Sequence, residues 1–265
     1  MIQCFSRPDR HISLCGHLRC AVAERAIPGA PEALRGLRLV FVSDTHVVRR
    51  TREADLSDFM ARISALHPDL LLLGGDYADK RADAERFFEA LAAVRAPLGC
   101  FGVVGNNDRE AWPDVAPLRA RMARAGCRLL LNERVRLSVR GADLTISGVD
   151  ELKYGLPDLH RLVPPASEGR YRLLLSHFPM MPEPAPDLVL SGHTHGGQFN
   201  FFGITPYLIG FEHRKTALGM RRVAAGLHAE GGGLLLVSKG VGASRIPLRI
   251  CVRPEIELLL LSRYC

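Results

Sequence analysis

The chain has no C-x-x-C pair, and its seven cysteines are odd in number. Zinc-ribbon spacing and a closed disulfide framework are both excluded on that count, and free thiols in a reducing compartment are expected. Aromatic residues make up only 6% of the 265 residues, and there is one tryptophan. No zinc-finger spacing, basic helix or aromatic RNA-binding motif occurs, so sequence-specific nucleic-acid binding has no visible carrier. No apolar run approaches the roughly 18 residues that a membrane-spanning helix needs, and no signal-peptide core precedes the first strand. The expected address is therefore the cytoplasm, either free or peripheral to the inner face of the membrane. Low-complexity stretches, internal repeats and long polar linkers are missing as well, which leaves one large domain as the simplest organisation.

What is present fits that organisation. Hydrophobic residues account for 47% and charged residues for 24%, enough apolar material for a buried core. The net charge of +7 favours encounters with anions without separating phosphorylated small molecules, acidic lipid and nucleic acid. Residues 1–36 carry Arg7, Arg10, His11, His17 and Arg19 and read as a basic N-terminal arm, with a single folded domain following over residues 37–265.

From Leu37 onward, Leu- and Val-rich runs alternate with amphipathic segments, the pattern of β-α-β units whose strands are buried on both faces. Strands are expected at Leu37–Ser43, Leu70–Leu73, Cys100–Val104, Leu144–Gly148, Tyr171–Ser176, Leu188–Ser191, Gly233–Ser238 and Ile256–Leu261. Leu56, Phe59, Met60 and Ile63 share one face of a helix, as do Ala84, Phe87, Phe88 and Leu91. Pro113 and Pro117 bracket the start of a third helix.

The chemistry collects just past the strands, where open α/β sheets place their ligands. Asp44-Thr45-His46 follows the first; residues two apart in an extended segment face the same side, so carboxylate and imidazole can reach one ion. Gly74-Gly75-Asp76 follows the second, with glycines that permit a sharp turn. Gly105-Asn106-Asn107-Asp108 follows the third and offers an amide oxygen, although taken alone it reads more readily as an Asn/Asp-rich turn. Ser176-His177 and Gly192-His193-Thr194-His195 supply three imidazoles. Taken singly, each is explained by a capping Asp or a hydrogen-bonded His. Five such motifs in series point to a shared metal site.

Assembled, the motifs resemble the calcineurin-like metallophosphoesterase superfamily, above all a bacterial branch that continues the last motif as Gly192-His193-Thr194-His195-Gly196-Gly197-Gln198. The segment Val237–Ser244, with Ile246-Pro247-Leu248-Arg249 and Pro254-Glu255-Ile256, is similar to that branch too, and the likeness spans about residues 35–262. It implies a four-layer α/β/β/α sandwich. It also implies two divalent metal ions, Mn, Fe or Zn: one held by Asp44, His46, Asp76 and His195, the other by Asp76, Asn106, His177 and His193, with Asp76 as the bridge. A hydroxide shared by the ions would then attack a phosphate ester.

One position departs from the family. Where the family carries a His after the metal-binding Asn, this chain has Asn107, which can donate a hydrogen bond but cannot supply a proton near neutral pH. A good leaving group is therefore expected, as in a phosphodiester or a pyrophosphate of a nucleotide-linked or lipid-linked substrate. Asp76, Asn107 and Asp108 are the candidate catalytic residues, and His213 is the candidate replacement for the missing His. Lys239 or Arg245 is either a phosphate contact or a solvated charge. Phe199, Phe201, Phe202, Ile204, Tyr207, Leu208, Ile209 and Phe211 form either a core-covering loop or a hydrophobic rim that meets anionic lipid together with Arg214 and Lys215. The competing functions are a catalytically weak metal-binding scaffold and a nuclease.

Overall fold

The computed structural model describes residues 12–160, 162–200, 205 and 223–263. His213, Arg7, Arg10, His11, Arg214, Lys215 and, from the aromatic insert, Phe201, Phe202, Ile204, Tyr207, Leu208, Ile209 and Phe211 lie outside the described residues.

Fourteen strands are described. They are β1 (Ile12–Leu14), β2 (Ala21–Ile27), β3 (Arg38–Val42), β4 (Leu70–Leu73), β5 (Cys100–Gly102), β6 (Cys127–Leu129), β7 (Glu133–Val139), β8 (Ala142–Gly148), β9 (Arg170–Leu175), β10 (Leu188–Ser191), β11 (Gly226–Glu230), β12 (Gly233–Val237), β13 (Leu248–Ile250) and β14 (Glu255–Leu261). Four helices accompany them: α1 (Glu53–Ala65), α2 (Arg81–Leu91), α3 (Asn106–Ala111) and α4 (Ala116–Arg124). One six-stranded sheet has the order β2-β14-β3-β4-β5-β6, and a second the order β11-β12-β10-β9-β8-β7. Strands β3 to β6 run parallel in the first, and β8, β9, β10 and β12 run parallel in the second.

The two sheets pack face to face over Leu39, Phe41, Leu70, Leu72 and Phe101 from one side and Leu144, Ile146, Leu173, Leu175 and Leu190 from the other. The all-buried Leu70–Leu73 run reflects this: one face of β4 meets the second sheet and the other meets helices. Each side chain so enclosed contributes on the order of 2 kcal/mol from area removed from water. Leu56, Phe59, Met60 and Ile63 of α1 and Ala84, Phe87, Phe88 and Leu91 of α2 form the helix layer on the first sheet. On the outer face of the second sheet, Val149, Leu162, Met180 and Met181 cover Leu174, Val189 and Leu235. Among the described residues that fourth layer is built from loops rather than helices.

The eight expected strands are all present to within two residues at their ends. The strands without an expectation are edge or short strands. Part of the stretch read as a basic arm is one of them: Ala21–Ile27 is β2, paired in parallel with β14. Its alternation of half-buried and exposed residues, with Glu24 and Arg25 inside it, hides an edge strand among charges. Likewise Glu133–Val139 alternates around Val135 and Leu137, and a two-residue Arg140-Gly141 turn with both φ positive (50° and 85°) folds it against β8.

Candidate metal centre

Asp44 lies beyond β3, Asp76 beyond β4, Asn106 beyond β5, His177 beyond β9, and His193 and His195 beyond β10. The carboxyl ends of three strands of one sheet and two of the other thus meet at a common edge. Asp44, His46, Asp76, His193 and His195 all have positive φ, between 42° and 69°. The expected extended D-x-H segment is therefore a strained one, and its strain is held by neighbouring loops: the Asp44 N–H donates to Gly75 O at 3.0 Å and the His46 N–H to Asp76 O at 3.1 Å. The loops approach so closely that a Cβ on Gly105 would sit 2.1 Å from Asp76 Oδ1, and one on Gly192 2.2 Å from Asp44 Oδ2.

Inside this edge the donor atoms converge. The ligand atoms of Asp44, His46 and His195 lie within 4.8 Å of one another, as do those of Asp44, Asp76 and His177. Asp76 Oδ2 is 3.5 Å from His46 Nε2 and 3.5 Å from His177 Nε2. The Asn106 amide oxygen receives His193 Nδ1 at 2.9 Å and His177 Nε2 at 3.1 Å. His195 Nε2 stands 3.7 Å from Asp44 Oδ1. All seven expected ligands are thereby brought together; Asp44, His46, Asp76, His177 and His195 are buried, and Asn106 and His193 are half-buried.

The far nitrogens of two rings are tied down. His46 Nδ1 pairs with Asp79 at 2.8 Å, and His177 Nδ1 with the Gly74 carbonyl at 2.8 Å, which turns both Nε2 atoms toward the carboxylates. His46 Nε2 is buried with no hydrogen-bond partner. A buried orphan nitrogen aimed at carboxylates is what a cation ligand looks like when protein groups alone are counted. The electrostatics agree. Burial would lower the His46 imidazole, yet the Asp79 hydrogen bond and the Asp76 and Asp44 carboxylates outweigh it and hold it up at about 9. Burial would raise Asp76, and His177, His46 and the Asn107 N–H keep it below the usual carboxylate range. Raised imidazoles at His46 and His177 thus face a lowered Asp76, whereas burial and the neighbouring His46 and Arg249 charges push His195 down and burial pushes Asp44 up; divalent cations would take over the compensating charge. Oxygen and imidazole donors without a thiolate suit Mn, Fe or Zn.

A family model for calcineurin-like phosphoesterases matches residues 37–197. The chain belongs to that family. It is 30% identical to the metallophosphoesterase YkuE of Bacillus subtilis over 245 residues, covering 88% of this chain and 81% of that one. It is 32% identical to the phosphodiesterase YaeI of Escherichia coli over 232 residues, covering 84% and 81%. A bovine transmembrane protein with a metallophosphoesterase domain is 29% identical over 88% of this chain, which spans only 54% of the bovine protein's length. The chain is accordingly a metal-dependent phosphoric ester hydrolase. No helix among the described residues is long and apolar enough to cross a membrane.

The remaining candidates fall in less direct places in this phosphoesterase. Asp108 is fully buried and its carboxylate accepts from the N–H groups of Asp76 (2.6 Å), Gly105 (2.9 Å) and Tyr77 (3.1 Å). It caps α3 and fixes the Asp76 loop, which gives Asp108 a positioning role toward Asp76. The motif read as a possible turn is the start of a helix. Burial and the neighbouring Asp76 push the Asp108 carboxyl up to about 7. Asn107 is committed to Asp76, donating from its backbone N–H at 2.9 Å and its amide Nδ2 at 2.7 Å. Lys239 pairs with Glu255 at 3.0 Å, while Arg245 is exposed.

Two contributors carry no metal-binding spacing in the sequence, although Arg249 lies in the family-like segment Ile246-Pro247-Leu248-Arg249. Asp79 reaches His46 from three residues past Asp76. Arg249, fully buried on β13, donates to His195 O at 3.3 Å and Gly242 O at 2.7 Å and places Nη2 at 3.2 Å from His195 Nδ1. Both act from behind a ligand, where no metal-binding spacing exists to betray them.

Proposed function

We propose that this phosphoesterase holds two divalent ions, one among Asp44, His46, Asp76 and His195 and one among Asp76, Asn106, His177 and His193. With them it hydrolyses a phosphodiester or pyrophosphate bond, the substrate being linked to a nucleotide or a lipid. The observation that carries the reading is the placement of Asp76: one carboxylate oxygen is equidistant, at 3.5 Å, from an imidazole nitrogen of each half-site. A carboxylate so placed can bridge. Ions bound there would supply Lewis acidity, lowering the pKa of a water and neutralising charge on the phosphoryl oxygens.

The chain's own residues set what kind of ester can leave. Asn107 stands where the family carries an imidazole and offers only an amide N–H. Absence of a general acid typically costs about 10² to 10⁴ in rate for a poor leaving group, so esters of acidic alcohols and phosphoanhydrides are favoured. The Escherichia coli relative, named a phosphodiesterase, supports the same class.

A panel of a diester, a pyrophosphate and a simple alkyl phosphate, each with added Mn, tests the proposal. Wild-type turnover on the first two should exceed that on the third, Asp76→Ala should abolish all three, and Asn107→His should raise the alkyl phosphate rate. An alkyl phosphate as the best wild-type substrate, unchanged in Asn107→His, would overturn the substrate class.

A further inference from the structure

Strands β1 and β13 form a small antiparallel sheet apart from the two large ones, with Ile12 opposite Ile250 and Leu14 opposite Leu248. Directly paired residues point to the same side of a sheet, so all four side chains share one face. The other face carries Ser13 and Arg249, and Arg249 reaches inward to His195. The apolar face looks outward: Ile12 is 71% and Leu14 75% exposed, and in the turn leading into β13 Ile246 is 55% exposed. Asn200 N–H donates to Ile250 O at 2.9 Å, so the open edge of β13 is engaged by backbone and what remains bare is the face.

Beside this face runs a concavity of about 780 Å³ that Ile12 and Leu14 line together with His17, Arg19, Arg52 and Arg253. Among the described residues no carboxylate lines it. Asp55, in the adjoining hollow, is already taken by Arg52 at 2.7 Å and His17 at 3.2 Å. Arg19 and Arg253 are exposed. Singly exposed apolar residues are ordinary, whereas paired aliphatic side chains bordered by arginines make an amphipathic surface.

We propose that the outer face of β1 and β13 is a docking surface for an anionic lipid bilayer. Ile12, Leu14 and Ile246 enter the boundary between head groups and acyl chains, and Arg19 and Arg253 meet lipid phosphates. Charge complementarity selects the partner: a second copy of this chain would bring the same arginines against one another, and an apolar protein partner would leave them unmatched. The docked face lies on the opposite side of one two-stranded sheet from the arginine that holds His195, which brings the metal centre near the membrane surface. The proposal does not depend on which bond the enzyme cleaves.

Sedimentation of the full chain with vesicles, either of phosphatidylcholine alone or containing about a third phosphatidylglycerol, tests it. The chain should sediment with the anionic vesicles at low salt, weakly at high salt, and not with the neutral ones. Ile12→Asp with Leu14→Asp, and separately Arg19→Glu with Arg253→Glu, should each weaken binding by about tenfold or more. Hydrolysis of a soluble diester should stay at the wild-type rate in both, which also reports an intact fold; Ile12→Ser with Leu14→Ser serves if the aspartates perturb folding. Failure of the wild-type chain to sediment, or binding that survives the Ile12 and Leu14 changes, would overturn the proposal. Loss only in the arginine variant would do the same, since it indicates charge attraction without this face.

Discussion

Three of the four imidazoles at the centre, His46, His177 and His195, lean on a group outside the expected ligand set, and those groups give the sharpest residue-scale tests. Asp79 is not itself an expected ligand and its side chain is partly exposed, yet it holds His46 Nδ1 at 2.8 Å. Asp79→Ala should leave the fold intact and lower metal affinity or turnover by about 10 to 100-fold; Mn-dependent activity titrated against metal concentration checks it, and unchanged half-saturation would show that His46 needs no support. Asp108 makes the contrasting case. Asp108→Ala leaves three buried N–H groups without an acceptor and should destabilise by about 2 to 5 kcal/mol while displacing Asp76. Urea unfolding midpoints and turnover should fall together. Asp79 and Asp108 also mark the limit of legibility at this scale. Spacing beyond strands exposes residues that face the ion, and Asp44, His46, Asp76, Asn106, His177, His193 and His195 converge as that spacing implies. Residues behind them, such as Asp79 and Arg249, answer to the fold and leave no periodic trace.

At the scale of elements, legibility follows burial. Leu70–Leu73 and Leu188–Ser191 are buried along their whole length, and their apolar runs coincide with β4 and β10. Half-exposed strands such as β2 and β7 carry arginines and glutamates that mask a period of two, which is why an edge strand reads as a basic arm. Asn106–Ala111 reads as a turn because its helical character rests on one capping carboxylate rather than an apolar stripe. Strand β14 carries its own prediction. Glu257 is fully buried; burial and Glu255 raise its carboxyl to about 8, against the pull of Arg25 at 2.7 Å. With the folded pKa above the unfolded 4.5, the stability linked to its proton is complete below pH 4.5 and lost as pH rises through about 8. Wild type should therefore lose stability relative to Glu257→Gln between mildly acidic and alkaline pH, read as a widening gap in urea midpoints. A constant gap across that range would place the Glu257 titration elsewhere.

For the whole molecule, two sheets contribute strand ends to one edge, so neither sheet alone holds a complete set of ligands: Asp44, His46, Asp76 and Asn106 come from one, and His177, His193 and His195 from the other. The interface of Leu39, Phe41, Leu70 and Leu72 with Leu173, Leu175 and Leu190 is what keeps the halves in register. Leu72→Ala, fully buried between the sheets, should cost about 2 to 5 kcal/mol and loosen both half-sites at once. The most direct measurement of the central claim is the metal-to-chain ratio of protein purified without chelator and reloaded with Mn. Wild type should carry about two ions, His46→Ala and His193→Ala about one each, and Asp76→Ala fewer than one. A wild-type chain that saturates at one ion, or an Asp76→Ala chain that still binds two, would contradict a paired centre bridged by Asp76.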